Sequence, residues 1–341
     1  NGVSATANWA IDGAQAFTEY GFSVAAAGDV NGDGFADAIV SAPYFDAAFN
    51  DEGRVYVYLG SATGLSATPI NSLSPVGREG ALFGWKVSGA GDINADGFAD
   101  VIIGVPYYDA NGGVDIDAGR VYVYYGSQTG LNVSTPTILE SSQIGSLFGF
   151  TVAGIGDANN DGYLDLYVTS GGYELAENSP LLQDRLYLND KKGKFIKTAV
   201  LPKMLSNTKA VKAIDFDNDG DLDLAIGGHS ISGKYPLFSK SYFLMNDKGV
   251  FKDVTATVAL EFSKIGIVND FIFSDYDNDG AKDLIVVGEW MPITVLKNTK
   301  GQFKIINTPQ FKNTEGWWNT ISEVDIDKDG DLDYFFGNLG G

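Results

Sequence analysis

The chain has 341 residues, 44% hydrophobic and 20% charged, which is ample apolar material for a core. Its formal net charge of −21 argues against nucleic acid as a partner, because a phosphate backbone is held through Lys and Arg. The absence of Cys excludes a disulfide scaffold. No apolar run approaches the ~18 residues needed to cross a bilayer, and the N-terminus has no signal-peptide pattern, so a soluble, already processed chain without membrane insertion is expected.

In chain order, Ala5 to Ile11 is the first strand-like piece, followed by a turn. Tyr20-Gly-Phe-Ser-Val then leads into Asp29, Asn31, Asp33, Gly34 and Asp37, and on through Ala-Ile-Val (38–40) to Gly53-Arg-Val-Tyr-Val-Tyr. The next unit repeats this almost word for word. Phe83-Gly-Trp-Lys-Val precedes Asp92, Asn94, Asp96, Gly97 and Asp100, and Val-Ile-Ile (101–103) precedes Gly119-Arg-Val-Tyr-Val-Tyr. Four more copies of Asp-x-Asx-x-Asp-Gly-x-x-Asp follow: Asp157, Asn159, Asp161, Gly162, Asp165; Asp215, Asp217, Asp219, Gly220, Asp223; Asp275, Asp277, Asp279, Gly280, Asp283; and Asp325, Asp327, Asp329, Gly330, Asp333. Their first positions are 63, 65, 58, 60 and 50 residues apart, so each copy marks one supersecondary unit of a repeat architecture. Short β-rich runs bounded by Gly and Pro read as strands, which puts each loop between two strands of a hairpin. Outer hairpins near 54–70, 120–139, 185–199, 241–256 and 293–306 bring each unit to four strands.

The loop chemistry points to calcium. Side-chain oxygens at positions 1, 3, 5 and 9 suit a hard cation that takes six to eight oxygens. Position 7, occupied by Phe35, Phe98, Tyr163, Asp221, Ala281 and Asp331, is expected to add a backbone carbonyl, and glycine at position 6 permits the sharp turn. Magnesium fits less well because it prefers a strict octahedron, and zinc would want His or Cys, of which the chain has one and none. Asp, Asn and Gly are also ordinary turn formers, but six copies in one register outweigh that reading. About six ions acting as structural staples are expected, and their twelve positive charges would take the net charge from −21 to −9.

Four-stranded units repeated in series are the sequence picture of a β-propeller. Phe-Gly before the loop and Gly-x-Pro after it (Gly104-Val-Pro106, with Ser41-Ala-Pro43 in the first unit) resemble the FG-GAP repeats of the integrin α-subunit N-terminal propeller and of bacterial surface and secreted proteins. From about residue 155 the pattern changes. Arg185-Leu-Tyr-Leu-Asn-Asp, Tyr242-Phe-Leu-Met-Asn-Asp and Thr294-Val-Leu-Lys-Asn-Thr hairpins, with Gly316-Trp-Trp-Asn, are similar to VCBS-type repeats, and nineteen of the 23 Lys and Arg lie beyond residue 151. The resemblance implies an all-β propeller of about six four-stranded blades over 1–341, FG-GAP-like to 154 and VCBS-like from 155, with a fusion point near 150–160 as one reading of the shift. After its loop the sixth unit has only Tyr334 to Phe336 as strand before the end, so the last blade is either incomplete or closed by Ala5 to Ile11, and a seventh blade in a longer parent stays open.

The resemblance also implies calcium on those loop positions and an extracellular or cell-surface adhesion module, probing a protein or glycan ligand. A lectin-like propeller and a scaffold without its own ligand are the alternatives. Loops joining the second and third strands carry aromatic residues, Tyr44, Tyr107, Tyr108, Tyr173 and Trp290, which are the candidate ligand-binding positions. Catalysis is not expected: there is no Cys nucleophile, no Gly-x-Ser-x-Gly elbow, and the single His229 stands in a polar loop without a visible partner.

Overall fold

The computed structural model describes residues 9–13, 15–75, 77–114, 116–172, 175–191, 194–324 and 332–338. The chain divides into two compact units, one of Thr6–Leu175 with Pro180–Ala199, the other including Ala176–Ser179 and the chain from Val200 onward.

The first unit holds three antiparallel four-stranded blades. Blade one is β1 (Val24–Gly28), β2 (Asp37–Ala42), β3 (Arg54–Tyr58) and β4 (Asn71–Leu73); blade two is β5 (Lys86–Gly91), β6 (Asp100–Val105), β7 (Arg120–Tyr124) and β8 (Thr137–Glu140). Blade three is β9 (Val152–Gly154), β10 (Leu166–Val168), β11 (Arg185–Asn189) and β12 (Phe195–Lys197). The second unit holds blade four, β13 (Thr208–Ile214), β14 (Asp223–Gly228), β15 (Tyr242–Asp247) and β16 (Val250–Asp253), and blade five, β17 (Ile267–Ser274), β18 (Asp283–Met291), β19 (Thr294–Thr299) and β20 (Gln302–Ile305). Within each unit the first strands of successive blades lie side by side, as a propeller requires.

The expectation of six four-stranded blades is corrected to five. Among the described residues the sixth repeat supplies the hairpin β21 (Gly316–Val324) and β22 (Asp333–Asn338) and no further strand, and this hairpin joins the sheet of blade five, where Glu289 and Met291 of the long β18 pair with Trp317 and Gly316. Reading one loop as one full blade was the error, since a loop needs only the two strands that flank it. Of the proposed closing strand at 5–11, residues 5–8 lie outside the described residues, and Trp9 to Ile11 form no strand; Trp9 instead packs edge-on against Tyr58 and donates its Nε1–H to Ser66 O at 3.0 Å.

Alternation along each second strand feeds two cores at once. In β6, Val101, Ile103 and Val105 join the cluster of Ile39, Val55 and Phe83, while Ile102 joins Phe148, Val152 and Leu166 of the next blade. In β18, Leu284 and Val286 meet Phe216, Phe243 and Phe271, whereas Ile285 and Val287 meet Val295 and Ile321. Blades covered on both faces therefore need continuous apolar second strands, which the sequence supplies. The repeated Gly-Arg and Phe-Gly words meet across blades: Gly53 bridges Phe83 and Gly119 bridges Phe148, and a Cβ on Gly53 would lie 2.3 Å from the Phe83 nitrogen.

The change of pattern after residue 155 has a backbone counterpart. In blades one and two the inner strand bulges two residues before the loop, between Ala26 and Gly28 and between Gly89 and Gly91. In β13, β17 and β21 the bulge sits six residues before the loop, at Lys209, Asn269 and Asn319.

Candidate metal centres and the opposite strand ends

Five of the six acidic loops are described, and they share one fold. The position-1 carboxylate gathers the backbone inside the turn: Asp29 accepts N–H groups of Gly32, Asp33 and Gly34 at 2.7, 3.0 and 2.7 Å. Asp92, Asp157, Asp215 and Asp275 likewise accept from positions 5 and 6, between 2.6 and 3.1 Å. Position 5 then accepts the N–H of position 7, from Phe35, Phe98, Tyr163, Asp221 and Ala281. Glycine at position 6 is left-handed in all five (φ 89–95°), and so is position 4, held by Gly32, Ala95, Asn160, Asn218 and Asn278. Two left-handed residues in one short loop fold the chain back on itself, so that the position-1 carboxylate meets the N–H groups of positions 5 and 6. Asp325, Asp327, Asp329 and Asp331 of loop six lie outside the described residues, and Asp333 begins β22.

Position 9 has a second duty. Asp37, Asp100, Asp165, Asp223 and Asp283 are all buried. One oxygen of each accepts the N–H of a residue at the end of the third strand, from Gly60, Gly126, Asn189, Asn246 and Asn298 at 2.7–2.9 Å. In the first four loops the other oxygen accepts the N–H of position 2, from Val30, Ile93, Ala158 and Phe216. The carboxylate thus ties the loop to strands two and three. Asp283 departs from this: its Oδ2 is buried and has no hydrogen-bond partner.

The electrostatics suit a divalent cation. Burial pushes Asp100 and Asp223 up to about 7 and Asp165 up to about 6, against the pull of their backbone N–H donors and with further push from the neighbouring carboxylates. Asp37 and Asp283 are raised for the same reason. Crowded, partly desolvated carboxylates favour a compensating positive charge. Carboxylate oxygens of Asp215, Asp217 and Asp223, and of Asp275, Asp277 and Asp279, lie within 4.8 Å of one another. An all-oxygen donor set of this density, with the orphaned Asp283 Oδ2, fits calcium.

At the other strand ends the aromatic candidates separate. Tyr44 is half-buried. Tyr107 is half-buried against Trp85, with ring centroids 5.4 Å apart. Tyr108 is buried beneath the Arg120 guanidinium at 3.6 Å, a packing position. Tyr173 lies outside the described residues. Trp290 is 65% exposed and left-handed (φ 57°), an unusual conformation for a bulky side chain.

Trp290 belongs to a cluster the sequence did not reveal. Its ring meets Trp317 edge-on at 5.7 Å, and both indole N–H groups donate to the Tyr235 hydroxyl, Trp317 at 3.3 Å. Tyr235 donates to Glu289 Oε2 at 3.0 Å, and Glu289 Oε1 faces His229 Nε2 at 3.3 Å. His229, expected to stand in a polar loop without a partner, is instead buried and surrounded. Its Nε2 also meets Asn269 Oδ1 at 3.1 Å, its Nδ1 meets Ser230 Oγ at 3.2 Å, and Lys209 Nζ reaches Asn269 Oδ1 at 2.8 Å. Asn269 and Glu289 lie 40 and 60 residues away in sequence, which no local pattern could disclose. Burial holds the His229 pKa below its ordinary value. Burial alone would raise Glu289, but its hydrogen bond from His229 and the charges of His229 and Lys209 bring it lower.

Residues 20–58 and 83–124 match the FG-GAP repeat, and residues 157–226 and 275–336 match the FG-GAP-like repeat, together more than half of the chain. The chain is 35% identical to integrin alpha-6 of Gallus gallus over 158 residues, 45% of this chain and 13% of that protein. It is 34% identical to integrin alpha-7 of Mus musculus over 188 residues, 54% of this chain and 15% of that protein. The chain therefore spans a small part of these relatives' length. Among solved structures it resembles an Agrocybe aegerita lectin, studied for recognition of non-reducing terminal N-acetylglucosamine, with a TM-score of 0.56 at 17% identity over 90% of this chain and 72% of the lectin, a likeness of fold alone.

Proposed function

Because this chain belongs to the FG-GAP repeat family, we propose that it is a calcium-binding, non-catalytic β-propeller that serves outside the cell as an adhesion or ligand-binding module. The observation that carries the calcium half is the common fold of five loops, each wrapping its backbone N–H groups around the position-1 Asp above a buried position-9 Asp, with carboxylates converging within 4.8 Å in loops four and five. Positions 1, 3, 5 and 9 hold the ion, position 7 supplies a carbonyl, and loop six is the sixth site on the same pattern. The calcium has a structural role: it offsets carboxylate repulsion at the turn joining each first strand to its second.

The adhesion half rests on the alignment with integrin alpha subunits, whose propeller segment this chain matches. The surface we assign to a protein or glycan ligand is the Tyr235, Trp290 and Trp317 cluster. Exposed aromatic rings held in place by hydrogen bonds lose little entropy when a partner stacks on them.

Two measurements test the reading. Each site adds about 2.7 kcal/mol at a hundredfold excess of calcium over its dissociation constant, so the melting temperature rises in millimolar calcium relative to chelator. An unchanged melt removes the calcium half. Calcium-loaded protein is then applied to an array of glycans and extracellular-matrix proteins. Trp290→Gly, which suits the left-handed backbone, is expected to keep the melting temperature and lose the binding signal. Silence across the array leaves a calcium-stabilised scaffold without a ligand of its own.

A further inference from the structure

One loop differs from its sisters in a way that bears on how tightly it holds an ion. The residue just before the third-strand donor to the position-9 Asp is Leu59, Tyr125, Leu188 and Met245 in blades one to four, all uncharged. In blade five it is Lys297. Its ammonium contacts the carboxylates of both Asp277 and Asp279, the latter at 2.9 Å. The Lys191 ammonium also approaches a loop carboxylate, but it is more exposed and 3.7 Å from the single oxygen of Asp161. Loop five also holds the orphaned Asp283 Oδ2, where loops one to four satisfy the matching oxygen with the position-2 N–H.

We infer that Lys297 is an internal competitor for the metal, which makes loop five the weakest calcium site of the five described loops and the first to empty as calcium falls. The inference rests on the calcium reading above. A divalent ion entering loop five has to draw Asp277 and Asp279 away from the ammonium, a larger cost than the one Lys191 imposes through the single, longer contact with Asp161 in loop three. The same ammonium partly neutralises the loop when the ion is absent. Blade five is thereby less dependent on calcium for its fold than blades one to four, so partial loss of the ion changes this loop before it threatens the sheet.

The test is a calcium titration of the intact chain, followed by calorimetry and by the backbone amide resonance of Gly280, whose N–H donates to Asp275 and reports loop five alone. Lys297→Met, the residue blade four uses, is the principal variant, and Lys297→Arg retains the charge. The Gly280 midpoint is expected at higher calcium than the bulk calorimetric transition. Lys297→Met should tighten it by about three- to tenfold, the scale of one or two partly exposed ion pairs, and Lys297→Arg should leave it weak. Lys297→Met should also lower the melting temperature in chelator. A Gly280 midpoint that coincides with the others and ignores Lys297→Met overturns this inference while leaving the calcium reading intact. No binding of calcium at any loop overturns both.

Discussion

His229 sits where a proton would be costly. Enclosed by Ser230, Asn269 and Glu289, its neutral Nε2–H form donates toward Asn269 Oδ1 and Glu289 Oε1 while Nδ1 accepts from Ser230 Oγ, and a second proton would add a positive charge beside the Lys209 ammonium. Because its folded pKa lies below that of the unfolded chain, it contributes stability that is complete above the ordinary His pKa of about 6.5 and lost as pH falls below it. Glu289, also lowered, adds a loss in the same direction at more acid pH. In excess calcium, denaturant midpoints should fall from about pH 7 to about pH 5, and His229→Gln should flatten that slope while costing about 1–3 kcal/mol at neutral pH. An unaltered slope in the variant would show that other groups set the acid limit. The metal loops are saturated in this experiment so that their own carboxylates, whose shifts run the opposite way, stay ionised.

At the level of the loop and its strands, the position-9 Asp and the carboxylates nearer the loop tip do different work. Asp100 accepts backbone N–H groups of Ile93 and Gly126, both at 2.8 Å, inside a buried junction. Asp96 is exposed and bonds only within its own turn. In chelator, Asp100→Ala should cost about 2–4 kcal/mol by stranding two buried donors, whereas Asp96→Ala should cost under about 1 kcal/mol. In calcium both variants should lose the increment of their site, so the gap between them narrows. Equal effects in chelator would mean that position 9 is only a ligand. This double role was legible in part. The Asp spacing announced the loop, and the apolar runs after it announced the second strand. That one carboxylate also clamps the third strand depended on Gly126, 26 residues away, and had no local sign. The shift in bulge position was written more openly, since Gly28 and Gly91 precede the early loops where Ile214, Ser274 and Val324 precede the late ones. The Trp290 cluster was half visible: Trp290 was expected at the ligand face, but Tyr235 joins it from a loop of blade four and Trp317 from the start of β21, which pairs with β18. Counting loops overstated the blades because, among the described residues, the sixth repeat pairs one hairpin onto the sheet of blade five and builds no sheet of its own.

Across the whole chain the acidity is concentrated at the sites that the fold most needs to neutralise. Twenty-one carboxylates stand at positions 1, 3, 5 and 9 of the six loops, a number equal to the formal net charge of −21. Without calcium these groups repel one another within each loop over distances far shorter than a Debye length at low salt. Raising monovalent salt from about 0.01 M to about 0.15 M shortens that length from ~30 Å to ~8 Å, which screens exposed carboxylates and leaves buried ones largely unaffected. The chelated protein should therefore gain thermal stability with monovalent salt, and the gain should shrink once calcium is bound. Position-9 carboxylates set the limit of what salt can do: buried among apolar strands, they respond to a cation placed beside them and little to ions in the surrounding solvent. Salt and calcium are thus expected to stabilise by unequal amounts, and sodium at any concentration should not reach the melting temperature that millimolar calcium gives. Equal plateaus in differential scanning calorimetry would mean that charge density alone, and no specific site, governs the fold.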